Sequence, residues 1–296
     1  MNEQSTPQPA PSATRSPLNR RAVLNLGGLT AAGFAAIAST PAYADPRGTG
    51  PVGDENRSAA GALAAACVTE TTMPYQNTIN SAALYYEPTS AAASFRFNTT
   101  MHSRLKVWQS FWDANTPYPV MNRIDSYGAY VDRGDGCVSL HNYGRAFDIA
   151  SAWTGTTRHF SARYDTWKAW TGTELTGVRI QYWAAAASLH LHFEHTLTYL
   201  YNTAHHNHFH VDNSRSGAGL SVLSKSGTQT NSIQAMLNYV WGKGTGIDGV
   251  YGNQTIQHSN EVLAQIGKGG SLTTSQSHWH AFLTATTRKG TGMQAY

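Results

Sequence analysis

The sequence predicts an α+β fold, in which a small antiparallel sheet with flanking helices is followed by a small all-α helical domain. Apolar residues recur at helical spacing in segments 102–116 and 178–195. Between them, residues 121–150 alternate turn residues with short apolar segments, which favours strands and loops. Two further helix-like segments follow a Ser/Gly/Thr-rich stretch at 214–231. A chain of 296 residues has room for one large domain or two modest ones.

The first 44 residues have the features of an export signal. Paired arginines, Arg20 and Arg21, precede a weakly apolar run over residues 26–38, and Ala42-Tyr43-Ala44 has the small-x-small pattern of a cleavage site. The arginine pair resembles a twin-arginine signal, and an ordinary secretory signal is the alternative. Because the run is short and rich in Gly and Ala, we expect no stable membrane insertion after cleavage. The mature protein is predicted to be secreted or associated with the cell wall.

Composition and charge argue against nucleic acid as a partner. Charged residues are only 13% of the chain against 41% hydrophobic residues, a balance typical of extracellular proteins rather than highly charged cytosolic ones. The formal net charge is +4, and much of that excess lies in the predicted signal. The mature protein is therefore only mildly basic, which is too weak a signal for nucleic acid, where a clustered basic face is expected. This charge is compatible with an anionic cell wall.

The two cysteines, Cys67 and Cys137, predict a disulfide. An even number of cysteines in an exported protein favours pairing. The bridge would close a loop of about 70 residues and stabilise the fold by roughly 4 kcal/mol. The alternative is that Cys137, four residues before His141, is a thiolate ligand of a metal.

The remaining chain divides at changes in composition. Residues 45–63 begin with a polar Gly- and Pro-containing lead-in, residues 64–213 are rich in aromatic residues, and residues 214–231 have the composition of a linker. Residues 232–296 form the last segment, which begins with a predicted helix over 232–242. Within 64–213, RAFDIA and NHFHVD are predicted to be strands that enter the core.

Two short clusters carry the predicted chemistry. Segment 139–149, SLHNYGRAFDI, places His141 and Asp148 on either side of a Gly-containing turn, and HHNHFHVD at 205–212 contains His208 and His210. Two imidazoles and a carboxylate are a ligand set that suits a catalytic Zn²⁺, which keeps a fourth position open for water. His208 then remains beside that water as a base or acid. On a strand, His208 and His210 would point to one side and Phe209 to the other.

Other histidines offer alternatives, since the chain has 13 of them. His205 and His206 are possible ligands within the second cluster. His190, His192 and His195 lie in a predicted helix, where residues two apart diverge, and the HExxH pattern is absent. We therefore assign these three to packing or to the surface.

The two clusters resemble the metallopeptidase group that joins lysostaphin, D-alanyl-D-alanine metallopeptidases and the hedgehog signalling domain. The nearer resemblance is to bacterial proteins with an extensin-like C-terminal domain, and it covers roughly residues 65–213. In that family a Tyr and an Arg precede S-x-H-x-x-G-x-A-x-D-I, and a helix and H-x-x-HFH-x-D follow. The matching residues here are Tyr130, Arg133, Ser139, His141, Gly144, Ala146, Asp148, Ile149, His205, His208, Phe209, His210 and Asp212.

This resemblance implies roles for individual residues. His141, Asp148 and His210 would bind zinc and His208 would be the catalytic histidine. Arg133 would bind a substrate carboxylate or stabilise an oxyanion, for which a surface salt bridge is the alternative. Ser139 would position substrate or a ligand. Asp212 would hold a ligand residue in place through a hydrogen bond, or support the end of the strand. The family often has a Cys just before that Arg, where this chain has Asp132, so the family's disulfide pattern does not transfer directly.

The last segment has a resemblance of its own, to helical peptidoglycan-binding domains. The pattern Q-x-x-L followed by DG-x-[FY]-G-x-x-T appears here in the residues Ile233-Gln234, Leu237, Asp248-Gly249, Tyr251-Gly252 and Thr255. A helix is predicted to begin near Gln254, with Thr255 in its first turn. A small helical domain that only stabilises the protein is the alternative.

Together these features predict a secreted, monomeric zinc peptidase that hydrolyses an amide bond in the peptide part of peptidoglycan, as a D,D-carboxypeptidase or a cross-link endopeptidase. Two alternatives have different consequences. One is a noncatalytic, metal-containing protein that binds the cell wall. The other is a zinc hydrolase that acts on a substrate outside the wall.

Overall fold

The computed structural model describes residues 72–131, 139–214 and 219–296, all within one compact unit. The described part contains six α-helices: α1 (Thr99–Asn115), α2 (Tyr164–Trp167), α3 (Gly172–His192), α4 (Gly227–Tyr239), α5 (Asn253–Gln265) and α6 (Gln276–Gly290). Its strands are β1 (Tyr75–Gln76), β2 (Thr78–Ile79), β3 (Ala82–Tyr86), β4 (Ala91–Ala92), β5 (Phe95–Arg96), β6 (Arg123–Gly128), β7 (Ala146–Thr154), β8 (Thr157–Ser161), β9 (His195–Leu197) and β10 (Phe209–Asp212). The predicted mixture of α and β is confirmed.

The main sheet has eight strands in the order β2-β3-β6-β7-β10-β9, with β4 beside β3 and β8 beside β7. It is mixed rather than purely antiparallel, because β3 and β6 pair in parallel. A parallel pair needs a crossover connection, and α1 lies in the segment that joins these two strands. The longest strand, β7, lies in the middle of the sheet and pairs with β6, β8 and β10.

Helix α1 begins where the sequence offers an N-cap. The Asn98 side chain accepts hydrogen bonds from the backbone N–H groups of Thr100 and Met101. Its core-facing residues Leu105, Trp108 and Trp112 are fully buried, whereas Val107 is exposed. The predicted helix over 102–116 is confirmed, and it begins three residues earlier than expected.

Helix α3 is the central helix of the core. Ala184–Ala187 are fully buried, and the helix packs against α1, α4, α6 and β8. The small side chains allow close approach: the Thr287 hydroxyl of α6 donates to the Ala184 carbonyl at 3.4 Å, and a Cβ on Gly290 would lie 2.7 Å from Ala184 Cβ. The helix ends at His192, whereas the sequence predicted that it continues to His195, which instead begins β9.

The regular elements of the described residues 219–296 are helices, as expected for the last segment. Helix α4 begins at Gly227, inside the stretch predicted to be a linker, and α5 carries Thr255 in its first turn as predicted. Side chains of α4, α5 and α6 share one hydrophobic core with those of α1 and α3. None of the helices in the described ranges has the length and apolarity that crossing a bilayer requires.

Candidate metal centre

A tight turn, together with the strand that follows it, positions His141 and Asp148, the first two residues of the site. Residues Leu140–Tyr143 form a 3₁₀ turn that the Ser139 hydroxyl caps, accepting from the His141 backbone N–H at 3.3 Å. The turn ends at Gly144, whose φ of 62° is left-handed. A Cβ on Gly144 would lie 2.7 Å from the backbone nitrogen of Asn98. Only glycine meets both demands, and the chain then enters β7 with Asp148 on its third residue.

Strand pairing brings the second cluster to the first. In the antiparallel register of β7 and β10, His210 lies directly opposite Asp148. Phe209 is fully buried and its ring packs against Phe160 and Tyr182, so it holds β10 in the core as predicted. The register of this pair of strands therefore places the His210 imidazole beside the Asp148 carboxylate on the neighbouring strand.

Three side chains form a buried group that could hold a metal ion: His141, Asp148 and His210. His141 Nε2 lies 3.2 Å from His210 Nδ1 and 3.3 Å from Asp148 Oδ1. His210 Nδ1 lies 3.1 Å from the same carboxylate oxygen. In a tetrahedral site with metal–ligand bonds of about 2.0–2.1 Å, neighbouring ligand atoms lie roughly 3.3–3.4 Å apart. The observed spacing is close to that value.

The hydrogen bonds of each ring leave one nitrogen for a metal. His141 Nδ1 is hydrogen bonded to the Ala129 carbonyl, so its Nε2 faces the group. His210 Nε2 lies 3.3 Å from Asp212 Oδ2, so its Nδ1 faces the group. The other oxygen of Asp212 bonds His195 Nδ1 at 2.9 Å. Such bonds behind the ligands set the tautomer and orientation of each ring, as in known metal sites.

Contacts within the group shift the pKa values of Asp148 and His210. Burial alone would raise the pKa of Asp148, but the imidazoles of His141 and His208 reverse this, and its pKa lies well below the usual value. Burial would lower the pKa of His210, yet hydrogen bonds to Asp148 and Asp212 raise it to about 9. Without a metal, His210 is therefore protonated at neutral pH, and a cation at the centre would take the place of that proton.

His208 lies beside the three ligand candidates. Its Nε2 is 3.5 Å from Asp148 Oδ1, while its Nδ1 donates to the Asn207 side-chain oxygen at 2.6 Å. Burial lowers the pKa of His208 despite the nearby Asp148 carboxylate. The ring is thus neutral near pH 7, with its proton on Nδ1 and Nε2 unprotonated. The His205 ring lies 5.1 Å from it, and Nδ1 of His205 bonds Asn202.

Several predicted residues lie elsewhere or outside the described residues. Arg133, Cys67 and Cys137 belong to segments that the structure does not describe. Ser139 caps the turn before His141. His206 is partly exposed, and its ring packs on Tyr164 rather than on the cluster.

The sequence did not single out some residues that complete the site. The Ala129 carbonyl orients His141 through a backbone hydrogen bond. Because every residue has a backbone carbonyl, no residue type could have indicated this contact. His195 was assigned to packing or surface, but it bonds Asp212. The Tyr127 ring lies 5.8 Å from that of His208. The sequence of β6 shows no regular apolar–polar alternation, and bulges around Ser126 shift its register, so no pattern indicated the position of Tyr127.

No known family model, curated protein or solved structure matches this chain. The family resemblance carried by the two motifs therefore stays a prediction.

Proposed function

We propose that this protein is an exported zinc peptidase that hydrolyses an amide bond in the peptide of peptidoglycan. One observation supports it above all: His141, Asp148 and His210 meet with Nε2, Oδ1 and Nδ1 within 4.8 Å of one another. Two imidazoles and a single carboxylate favour Zn²⁺ over Ca²⁺ or Mg²⁺, which prefer oxygen ligands. When bound, zinc supplies a Lewis acid that lowers the pKa of water and polarises a carbonyl.

The residues around the group support hydrolysis. His208 is neutral and buried, and its Nε2 accepts a proton from attacking water and returns it to the leaving amine. Asn207 holds the opposite nitrogen as N–H and so fixes the useful tautomer. Asp148 lies 3.5 Å from His208 Nε2 and would stabilise the imidazolium once formed. Arg133 is proposed, from the motif alone, to neutralise charge on substrate or oxyanion.

The choice of peptidoglycan depends on the sequence outside this group. It is supported by the predicted twin-arginine signal in 1–44 and by the Q-x-x-L and DG-x-Y-G patterns of the last segment. In the structure, the Gln234 side-chain nitrogen bonds Asp248 at 2.7 Å and Thr255 at 3.0 Å. The patterned residues thus hold α4, the following loop and α5 together. A role for this segment in wall binding would raise the local enzyme concentration at an insoluble substrate.

The test is digestion of purified peptidoglycan, followed by mass spectrometry of the muropeptides. His208→Ala should retain metal but lose about 10²–10⁴-fold in rate, and His210→Ala should lose both metal and activity. His206→Ala is the matched control, because it removes a nearby imidazole that does not face the cluster, and it should remain active. The same spectra name the bond and so separate a carboxypeptidase from an endopeptidase. Equal product from wild type and both site variants would refute the proposal and favour a noncatalytic wall protein.

A further inference from the structure

A β-bulge in β6 sets the position of Tyr127. The residues on either side of it, Ser126 and Gly128, lie opposite Ile149 and Asp148, which are consecutive in β7. Tyr127 is thus an extra residue in the pairing of these strands. The Ser126 hydroxyl fixes the bulge, because it donates to the Asp148 carbonyl at 2.7 Å and accepts from the Gly128 N–H at 2.9 Å. Bulges of this kind re-aim a side chain, and here the side chain lies next to a residue of the metal centre.

The Tyr127 ring packs against the imidazole of His208. The two ring centroids are 5.8 Å apart, with an angle of 53° between the ring planes. Tyr127 is partly exposed, whereas His208 is only 3% exposed. The tyrosine is therefore the member of this pair that faces solvent, and a substrate group that contacts His208 also comes within reach of the Tyr127 ring.

Glu87 and Arg163 hold the far end of the Tyr127 side chain. The Glu87 backbone N–H donates to the Ser126 carbonyl at 2.9 Å, which places Glu87 beside the bulge. Burial raises the pKa of Tyr127, and its neutral hydroxyl donates to the Glu87 carboxylate. The same carboxylate forms an ion pair with Arg163 Nη1, while Arg163 Nε and Nη2 each bond the Asp165 carboxylate at 2.9 Å. All three guanidinium nitrogens are therefore engaged.

This frame of Glu87, Arg163 and Asp165 also holds the segment that leads to His208. The Asp165 backbone N–H donates to the His206 carbonyl at 2.8 Å, two residues before His208. Arg163 therefore joins the carboxylate behind Tyr127 to the residue that anchors this segment. Held from both sides, the two rings keep a fixed separation, as a preorganised binding site requires.

The position and charge of the frame determine what could bind there. In the hydrolysis proposed above, on which this inference rests, His208 gives a proton to the leaving amine, so the leaving residue lies against His208. An aromatic ring at that point offers a large apolar surface for contact. Glu87 and Asp165 carry two negative charges against the single positive charge of Arg163, so an acidic side chain on the leaving residue would be repelled.

We propose that Tyr127 forms the binding subsite for the leaving residue, with its ring against uncharged aliphatic carbons next to the nitrogen that leaves. One carbon more or less in such a contact changes kcat/KM by about tenfold or more. Tyr127 is thus a substrate-binding residue, and Glu87 and Arg163 position its ring.

The experiment measures kcat/KM of the purified full chain for three soluble peptides built on the bond that the muropeptide spectra identify. The second peptide lacks one carbon of the leaving residue, and the third carries a carboxylate on the side chain of that residue. Wild type should cut the first about tenfold faster than the second, and the third most slowly. In Tyr127→Ala, the ratio of the first rate to the second should fall to roughly 1–2, because the ring that contacts the carbon is gone.

This ratio separates substrate binding from general damage, since a loss of folded or metal-loaded protein lowers all three rates equally. Tyr127→Thr, whose side chain suits a strand better than alanine does, repeats the truncation and should give the same result. Zinc affinity, measured by titration, should stay at the wild-type value in both variants, because Tyr127 is outside the group of ligand candidates.

Two further variants are controls. Tyr127→Phe keeps the ring and loses only the hydroxyl, so it should keep most of the wild-type ratio. Tyr85→Ala removes another partly exposed tyrosine, whose ring packs under the Arg123 guanidinium at 4.1 Å, and it should behave as wild type does.

The outcomes distinguish the subsite from the function on which it rests. A wild-type ratio in both Tyr127→Ala and Tyr127→Thr, an equal fall in Tyr85→Ala, or a third peptide cut as fast as the first would overturn the subsite and leave the proposed function in place. A wild type that cuts none of the peptides and no peptidoglycan would refute the proposed function, and the subsite with it.

Discussion

Among the residues around the candidate centre, Asp212 has the most clearly defined contacts with a ligand residue. It is 1% exposed and bonds both His210 and His195. Asp212→Asn should weaken metal binding about 10–100-fold, because the carboxylate no longer orients His210 or raises its basicity. Metal affinity by competition with a chromophoric chelator measures this.

A matched control for that substitution is Asp125→Asn. Asp125 is equally a buried carboxylate, on β6, but it accepts from Ser151 and Trp153 and not from the cluster. This variant should lose stability while it keeps its metal affinity. Comparable losses of affinity in both variants would show that Asp212 acts only through general stability.

Metal affinity should depend on pH through His210. The folded pKa of His210 is raised to about 9 from an ordinary 6.5, so the metal-free protein binds this proton more tightly than the unfolded chain does. Its contribution to stability is present below pH 6.5 and is lost as the pH rises through about 9. Because a metal displaces the proton, affinity should rise about tenfold per pH unit from 7 to 9 and then level off.

Isothermal titration with zinc at several pH values, in buffers of different ionisation enthalpy, measures both affinity and protons released. Close to one proton should leave at pH 7. In Asp212→Asn, one of the carboxylates that raise the His210 pKa is gone, so the plateau should begin at a lower pH. An affinity that does not change between pH 7 and 9 would contradict this assignment.

At the scale of single elements, the turn at Gly144 determines whether the centre exists. Gly144→Ala adds the cost of a left-handed alanine, about 1–2 kcal/mol, and a Cβ at 2.7 Å from the Asn98 backbone. Because both the turn and the start of α1 must shift, we expect a loss of unfolding free energy well above 2 kcal/mol and weakened metal binding. Denaturant unfolding and metal titration report the two effects.

Gly155 is the matched position for this test. Its φ of 57° is also left-handed, but a Cβ there would meet nothing within 4 Å. Gly155→Ala should therefore cost only the backbone strain, about 1–2 kcal/mol, and leave the metal site unchanged. The difference between the two variants isolates the contact with Asn98, and equal losses would mean that this contact is unimportant.

At the scale of the whole molecule, the last helix is part of the main core. Gly290 of α6 is buried, and a Cβ there would lie 2.7 Å from Ala184 Cβ and 3.2 Å from the Ile180 carbonyl. Gly290→Ala should thus lower the unfolding free energy by about 1–3 kcal/mol, as overpacked cores do. Thermal unfolding followed by far-UV circular dichroism should show a single transition at a lower Tm.

The same substitution on the exposed side of α3 should have the opposite sign. Gly177 lies in that helix with nothing within 4 Å of an added Cβ, so Gly177→Ala should stabilise by about 0.5–1 kcal/mol. A chain whose α6 melts separately in Gly290→Ala, while the remaining signal keeps its wild-type Tm, would show that the last segment folds independently of the sheet domain.

Much of the local structure could be predicted from sequence. The apolar spacing around Trp108 predicted α1, because periodicity records which side of a helix is buried. The residue types in RAFDIA and NHFHVD predicted β7 and β10. Helix α6 was not predicted. Its stretch from Gln276 to Gly290 carries Trp279, Phe282 and Leu283 at helical spacing, but Ser, Thr and His residues between and around them obscure that pattern.

The sequence alone determines the ligand types and their division into two clusters, His141 with Asp148 and His208 with His210, because the residue type fixes which atoms a side chain can offer to a metal. The sequence could not show that His210 lies opposite Asp148, nor that Asp212 and Ala129 hold the two rings. It also could not show that His195 leaves the helix to join them. These facts depend on the strand register and on where helices end. Both are settled by the burial of residues distant in the chain, such as Phe209 against Tyr182, and only the folded chain brings those residues together.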